Sequence, residues 1–107
     1  MTTNQRFSKK AILGQLQIQL DNAKNAEPGT EHPGKVEALV FVKEALGGMR
    51  FNKAIFEKHA NQRVNEIRNA WHFDLAQGWE QLEGAALATK ISYWELRTYR
   101  TLLNMWY

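Results

Sequence analysis

The spacing of the apolar residues constrains the fold of this chain more than any other feature. Apolar side chains recur every three or four residues through most of its length, most clearly at Phe56, Ala60, Val64, Ile67, Trp71 and Leu75. This period places them on one face of an α-helix. Residues 16–20 also alternate apolar and polar side chains, as a strand does, but they continue without a turn signal into a polar stretch, which favours a helix. We therefore expect an all-α fold, a small single-domain bundle of four to five helices.

Capping and turn residues set the expected boundaries in the first half of the chain. Residues 1–7 have no periodicity and are expected to be a disordered terminus. Ser8 suits the cap of a first helix that runs to about Ala26, and the proline- and glycine-rich segment 27–34 is expected to be a loop. A second helix is expected over 35–46, with a left-handed glycine at Gly47-Gly48 as its stop.

The third helix has two possible ends. Asn52 suits its cap, and its apolar stripe continues in phase through Trp79 and Leu82. Either one helix reaches Thr89 or it breaks near Gln77-Gly78, and the cost of a glycine inside a helix favours the break. A last helix is expected to begin at Ser92 and to run nearly to residue 107.

Composition excludes several classes of protein. The 107 residues suit one domain, and the absence of cysteine excludes disulfides, thiol catalysis and cysteine metal sites. The longest apolar run, residues 38–42, is too short for a membrane span or a secretion signal. We expect a soluble, cytoplasmic protein that does not associate with membranes.

The sequence offers no set of residues for catalysis or metal binding. His32, His59 and His72 are not paired at helical spacing, so we expect no metal site. The serines, Ser8 and Ser92, both suit helix caps, and no phosphate-binding glycine loop is present. We therefore expect a protein that is not an enzyme and needs no cofactor.

The stretch 82–100 carries the most functional information. Ala86 is small enough for two helices to pack closely, Ile91 is an apolar residue in the expected turn, and Ser92 is a polar cap. Leu96 supplies an aliphatic side chain in the middle of the last helix. Over residues 82–100 the chain resembles a helix-turn-helix DNA-binding motif, and the complete motif would span residues 79–103. It departs from that motif at Thr89-Lys90, where an apolar residue and a glycine are usual.

The resemblance implies that helix 92–103 reads duplex DNA. Ser92, Tyr93, Arg97 and Thr98 would face the major groove, with Arg97 as the candidate for a guanine contact. Lys90 and Arg100 would reach phosphates. A homodimer closed by the very apolar helix 35–46 would place two such helices about one DNA turn apart. The expected function is a small DNA-binding regulator.

Two other interpretations stay open. Arg97 and Arg100 also suit the solvent-exposed face of an ordinary amphipathic helix. In the second interpretation, the chain is a protein-binding module, such as a subunit of a larger assembly or a small phage-type inhibitor. The modest net charge of +3 favours this interpretation. Trp94 falls off the apolar stripe of its helix, so we expect it to be partly exposed and to bind a protein partner together with Met105. The other three tryptophans, Trp71, Trp79 and Trp106, are expected in the core.

Overall fold

The chain folds into four α-helices in the part that the structure describes: Lys9–Lys24 (α1), Lys35–Gly47 (α2), Lys53–Trp71 (α3) and Leu87–Leu103 (α4). Short 3₁₀ helices span Gly78–Leu82 and Asn104–Trp106. The structure is a computed structural model that describes residues 7–27, 29, 32–74 and 77–106, without the side chains of Trp79 and Trp106. Strands are absent from these residues, so the prediction of a small all-α bundle is confirmed. None of these helices is long and apolar enough to cross a membrane.

Side-chain caps begin two of the helices at the predicted residues. The Ser8 hydroxyl accepts a hydrogen bond from the Ala11 backbone N–H at 3.0 Å, and the Asn52 side-chain oxygen Oδ1 accepts one from the Ile55 backbone N–H at 2.9 Å. Both bonds satisfy backbone donors that the first helical turn leaves without partners. Residues 16–20 lie within α1, which ends at Lys24, slightly before the predicted Ala26.

The stop of α2 differs from the prediction. Gly47 is its last helical residue, and Gly48 has φ −88°, so neither glycine is left-handed. The helix ends in a right-handed turn instead, in which the Gly48 N–H donates to the Glu44 carbonyl at 3.1 Å.

Two predicted boundaries in the second half of the chain are wrong. α3 ends at Trp71 rather than near Gly78, because His72 adopts a left-handed conformation (φ 50°, ψ 41°) and closes the helix onto the Arg68 carbonyl. α4 begins at Leu87 rather than at Ser92 and passes unbroken through residues 89–92. No glycine interrupts that stretch, and the Lys90 N–H makes an ordinary helical hydrogen bond to Ala86. The turn that the helix-turn-helix resemblance implies is therefore absent at these residues.

α4 is the central helix of the bundle. It packs against both α2 and α3, while α1 packs against α2. The core contains aliphatic and aromatic side chains from all four helices: Ile12, Leu16, Leu20, Leu39, Val42, Leu46, Phe56, Ala60, Val64, Ile67, Leu96, Tyr99 and Leu102. The predicted disorder of residues 1–6 lies outside the described residues, but Phe7 packs against Phe51 and Phe56.

Gly34 sets how closely α2 and α4 approach each other. It caps the start of α2 with φ +89°, a conformation that side chains with a Cβ rarely adopt. A Cβ at this position would lie only 2.9 Å from the backbone nitrogen of Ile91. Both its conformation and its surroundings therefore require glycine.

Candidate functional site on helix α4

The buried side of α4 includes two of the predicted groove residues. Tyr93 is fully buried, with the ring of Phe73 edge-on at 5.3 Å and Leu82 in the same cluster, because the segment after α3 folds back over this part of α4. Thr98 is also buried, and its hydroxyl donates to the Trp94 carbonyl at 2.7 Å. The prediction that Tyr93 and Thr98 face a DNA groove is therefore wrong.

The exposed side of α4 presents a polar, basic surface. Arg97, Arg100, Thr101 and Asn104 line a shallow cavity of about 220 Å³, which we call the arginine face. The Arg97 guanidinium donates to the Tyr93 hydroxyl at 3.0 Å and lies over the tyrosine ring, 5.6 Å from its centre. This contact holds Arg97 in one orientation and leaves most of its N–H donors for a ligand.

Glu95 is the only acidic residue of α4, and it points inward. Its carboxylate is buried and accepts two hydrogen bonds of 2.9 Å from the Arg63 guanidinium on α3. These bonds raise the pKa of Arg63. Since the one negative charge of the helix is buried and neutralised, Arg97 and Arg100 are exposed without an opposing carboxylate from α4 itself.

A second polar contact joins α3 and α4 beside this ion pair. The His59 Nε2 and the Tyr99 hydroxyl lie 3.0 Å apart. Burial raises the pKa of the Tyr99 phenol, whereas burial and the neighbouring Arg63 lower the pKa of His59. Both groups are therefore neutral near pH 7, and their contact orients the two helices without adding charge.

A separate polar groove lies on the second half of α3. Asn65, Arg68, Asn69, His72 and Phe73 line this α3 groove, which has a volume of about 390 Å³. Phe73 contacts Tyr93, which in turn holds Arg97. No sequence pattern indicated Arg68 as a site residue, because only the packing of Phe73 on Tyr93 links the groove to α4.

Trp94 belongs to a different site from the arginine face. It is only 8% exposed, since His32 packs on its ring at a centroid distance of 5.0 Å and the Lys35 ammonium lies 5.1 Å from the ring centre. The predicted exposure of Trp94 is therefore wrong. A cavity of about 370 Å³, which we call the Trp94 cavity, is lined by His32, Pro33, Glu80, Leu82, Glu83, Lys90 and Trp94.

The remaining predicted site residues have intermediate burial. Lys90 lines the Trp94 cavity with two carboxylates rather than the arginine face. Ser92 lies inside α4 and is half-buried, so it does not cap the helix, and Met105 is half-buried against the core. Trp71, expected in the core, is 42% exposed. The prediction for Trp79 and Trp106 lies outside the described side chains.

The apolar circumference of α2 is explained by contacts within one chain. Its residues Ala38, Leu39, Val42 and Leu46 are buried in the monomer, since α1 and α4 both pack on this helix. Phe41 is the large apolar side chain of α2 that stays exposed, at 52%. The pattern that suggested a homodimer therefore does not require a second copy.

The described residues contain no group of three histidine, aspartate or glutamate side chains that could hold a metal ion. Comparison with protein-family models, with curated proteins and with solved structures found no match to this chain.

Proposed function

We propose that this protein is a non-catalytic nucleic-acid-binding protein that contacts phosphates of duplex DNA through the arginine face of α4. One observation carries the proposal: Arg97 and Arg100 are exposed on a helix whose only carboxylate is buried against Arg63. A phosphate that approaches this side of α4 meets guanidinium groups without repulsion from an acidic neighbour on the helix.

The geometry favours phosphate contacts over base reading. α4 packs against both α2 and α3, so only a narrow strip of it reaches solvent, and Tyr93 and Thr98 lie below that strip. A recognition helix needs several side chains that reach base edges in the major groove. Arginines along one strip suit backbone phosphates, which many DNA-binding proteins contact independently of sequence.

Neighbouring groups extend the surface that a DNA backbone would touch. Asn104, directly after α4, adds a neutral donor, and the α3 groove adds Arg68. Because the Tyr93 contact already restrains Arg97, less side-chain entropy is lost when that guanidinium binds a phosphate. Three arginine contacts predict that the logarithm of the binding constant falls with the logarithm of salt concentration with a slope of about −2.7.

The test is fluorescence anisotropy of labelled random duplex DNA, single-stranded DNA and RNA across a salt series. We expect duplex binding that weakens steeply with salt, and a slope reduced to about −0.9 in the double variant Arg97→Gln/Arg100→Gln. The matched control is Lys10→Gln/Lys24→Gln, which removes the same charge from exposed positions on α1. Equal loss in both variants would assign binding to net charge alone, and no binding at low salt would reject the proposal.

A second candidate function is capture of a protein partner, and one exposed apolar patch favours it. The pairs His59–Tyr99 and Arg63–Glu95 set an antiparallel register that brings Trp71 and Leu87 to the same end of α3 and α4. These side chains are 42% and 54% exposed. A partner retained by the native chain and by Ile55→Ser, but lost with Trp71→Ser/Leu87→Ser while DNA binding persists, would favour this function.

A further inference from the structure

The Trp94 cavity lies where the residues just before α2 and the first two turns of α4 meet the 3₁₀ helix Gly78–Leu82. Trp94, Leu82 and Pro33 give it an apolar lining, and charged side chains complete it. Its volume of about 370 Å³ lies within the range of about 300–1,000 Å³ in which proteins bind small molecules. An apolar lining with a few charged groups is typical of such sites.

The apolar wall of the cavity is held in place before any ligand arrives. The Trp94 ring is fixed by His32, by the Lys35 ammonium and by the Tyr93 ring, which meets it edge-on at 5.0 Å. A wall already ordered in this way loses little conformational entropy on binding. The cavity is therefore preformed rather than created by its ligand.

Charges of both signs line the cavity. Glu80 and Glu83 supply carboxylates, and Lys90 supplies an ammonium, yet no ion pair joins Lys90 to either of them within the described part of the chain. Opposite charges that share a cavity but do not pair with each other can each bind a group of a ligand.

The positive charge is concentrated on the side of the cavity that the two helices form. Lys90 lies in the first turn of α4, and Gly34, the first residue before α2, packs against its backbone. α4 begins without a side-chain cap, so the positive end of its dipole adds to the charge of Lys90. Glu80 and Glu83 come from the separate segment that begins with the 3₁₀ helix.

We propose that the Trp94 cavity binds a small zwitterion with an apolar body, of which a free α-amino acid such as leucine or phenylalanine is the simplest example. The ligand carboxylate faces Lys90 in the first turn of α4. Its ammonium faces Glu80 and Glu83, and its apolar side chain packs against Trp94. None of these residues belongs to the arginine face, so the site is independent of nucleic-acid binding.

The test is a titration of the full ¹⁵N-labelled chain with L-leucine and L-phenylalanine, followed by amide chemical shifts. We expect shifts confined to residues around Trp94. Leucinamide, which lacks the carboxylate, and N-acetylleucine, which lacks the ammonium, should each bind at least about tenfold more weakly, a loss of about 1.4 kcal/mol. The proposal would be overturned if neither amino acid shifted these amide signals, or if leucinamide bound as tightly as leucine.

Two charge variants assign the ends of the ligand. Lys90→Met should lower the affinity for leucine towards that for leucinamide, and Glu80→Gln/Glu83→Gln should lower it towards that for N-acetylleucine. Glu44→Gln, an exposed carboxylate on α2 outside the cavity, should change neither affinity. The amide spectra report folding of every variant directly. If both cavity variants bound leucine as tightly as the native chain, the Trp94 cavity would be excluded as the binding site. This conclusion would hold whether or not the protein binds DNA.

Discussion

The ion pair between Arg63 and Glu95 predicts that its two ends contribute unequally to stability. Arg63→Met removes the guanidinium and leaves a carboxylate that is almost completely enclosed, with 5% of its side chain exposed. Glu95→Gln removes the charge from the enclosed end and leaves a guanidinium that is 32% exposed and can be hydrated. We therefore expect Arg63→Met to be the more destabilising substitution.

The magnitudes follow from this difference in burial. Removal of one partner from a fully buried pair costs about 3–5 kcal/mol. Because water reaches Arg63 and screens part of the interaction, we expect about 2 kcal/mol for Arg63→Met. Glu95→Gln keeps an acceptor for the guanidinium and should cost about 1 kcal/mol. For a domain of this size the larger loss lowers Tm by on the order of 10 °C.

The assay is urea unfolding followed by circular dichroism for both single variants and for the double variant Arg63→Met/Glu95→Gln. The double variant should resemble Glu95→Gln, because it no longer contains an unpaired buried charge. Arg68→Met, an exposed arginine on the same helix, is the control and should change the free energy of unfolding little. The reasoning is refuted if Glu95→Gln costs as much as Arg63→Met, or if the double variant is as unstable as Arg63→Met.

Three further measurements test the packing of the bundle. Gly34→Ala should destabilise the protein more than Gly29→Ala, because both glycines have φ near +90° but only at Gly34 does a Cβ lie 2.9 Å from the backbone of α4; equal losses of roughly 1–2 kcal/mol in urea unfolding would leave only the backbone term. Burial and the neighbouring Arg63 lower the pKa of His59 in the folded protein, so below about pH 6.5 the unfolded chain binds a proton more readily than the folded chain does. We therefore expect the free energy of unfolding to fall as the pH drops below about 6.5. Burial and Lys35 also lower the pKa of His32, so this residue destabilises the fold at low pH in the same way. The free energy of unfolding of His59→Gln should therefore depend on pH more weakly than that of the native chain, and an equal dependence would contradict the role given to His59. Trp94→Ala should lower the free energy of unfolding, measured by thermal unfolding, by about 3–5 kcal/mol. A variant as stable as the native chain would contradict the burial of Trp94.

Local patterns predicted the type of the helices and the starts of α1, α2 and α3. Apolar spacing is a property of each segment alone, and the caps Ser8 and Asn52 bond to backbone only three residues away. The end of α3 could not be predicted in this way. It depends on a left-handed conformation at His72, and histidine favours this conformation much less strongly than glycine does.

The candidate site was harder to predict, because α4 packs on two sides. A single stripe of apolar residues predicts one buried face, but Tyr93, Trp94, Glu95 and Leu96 are four consecutive buried residues. Two neighbouring helices and the segment that crosses over Tyr93 together bury this wide arc. Arg97 and Arg100 were predicted to be exposed, and the structure confirms their exposure, since they lie opposite that arc.

The central position of α4 also affects how the chain acquires its fold during synthesis. Ribosomes release α1, α2 and α3 first, yet residues such as Leu39 and Val64 share their core with side chains of α4, the last of the four helices. Until residues 93–102 emerge, α2 and α3 lack the helix against which both of them pack. The nascent chain therefore carries an uncovered apolar surface for most of its translation, and this surface is available to chaperones until α4 packs between its neighbours.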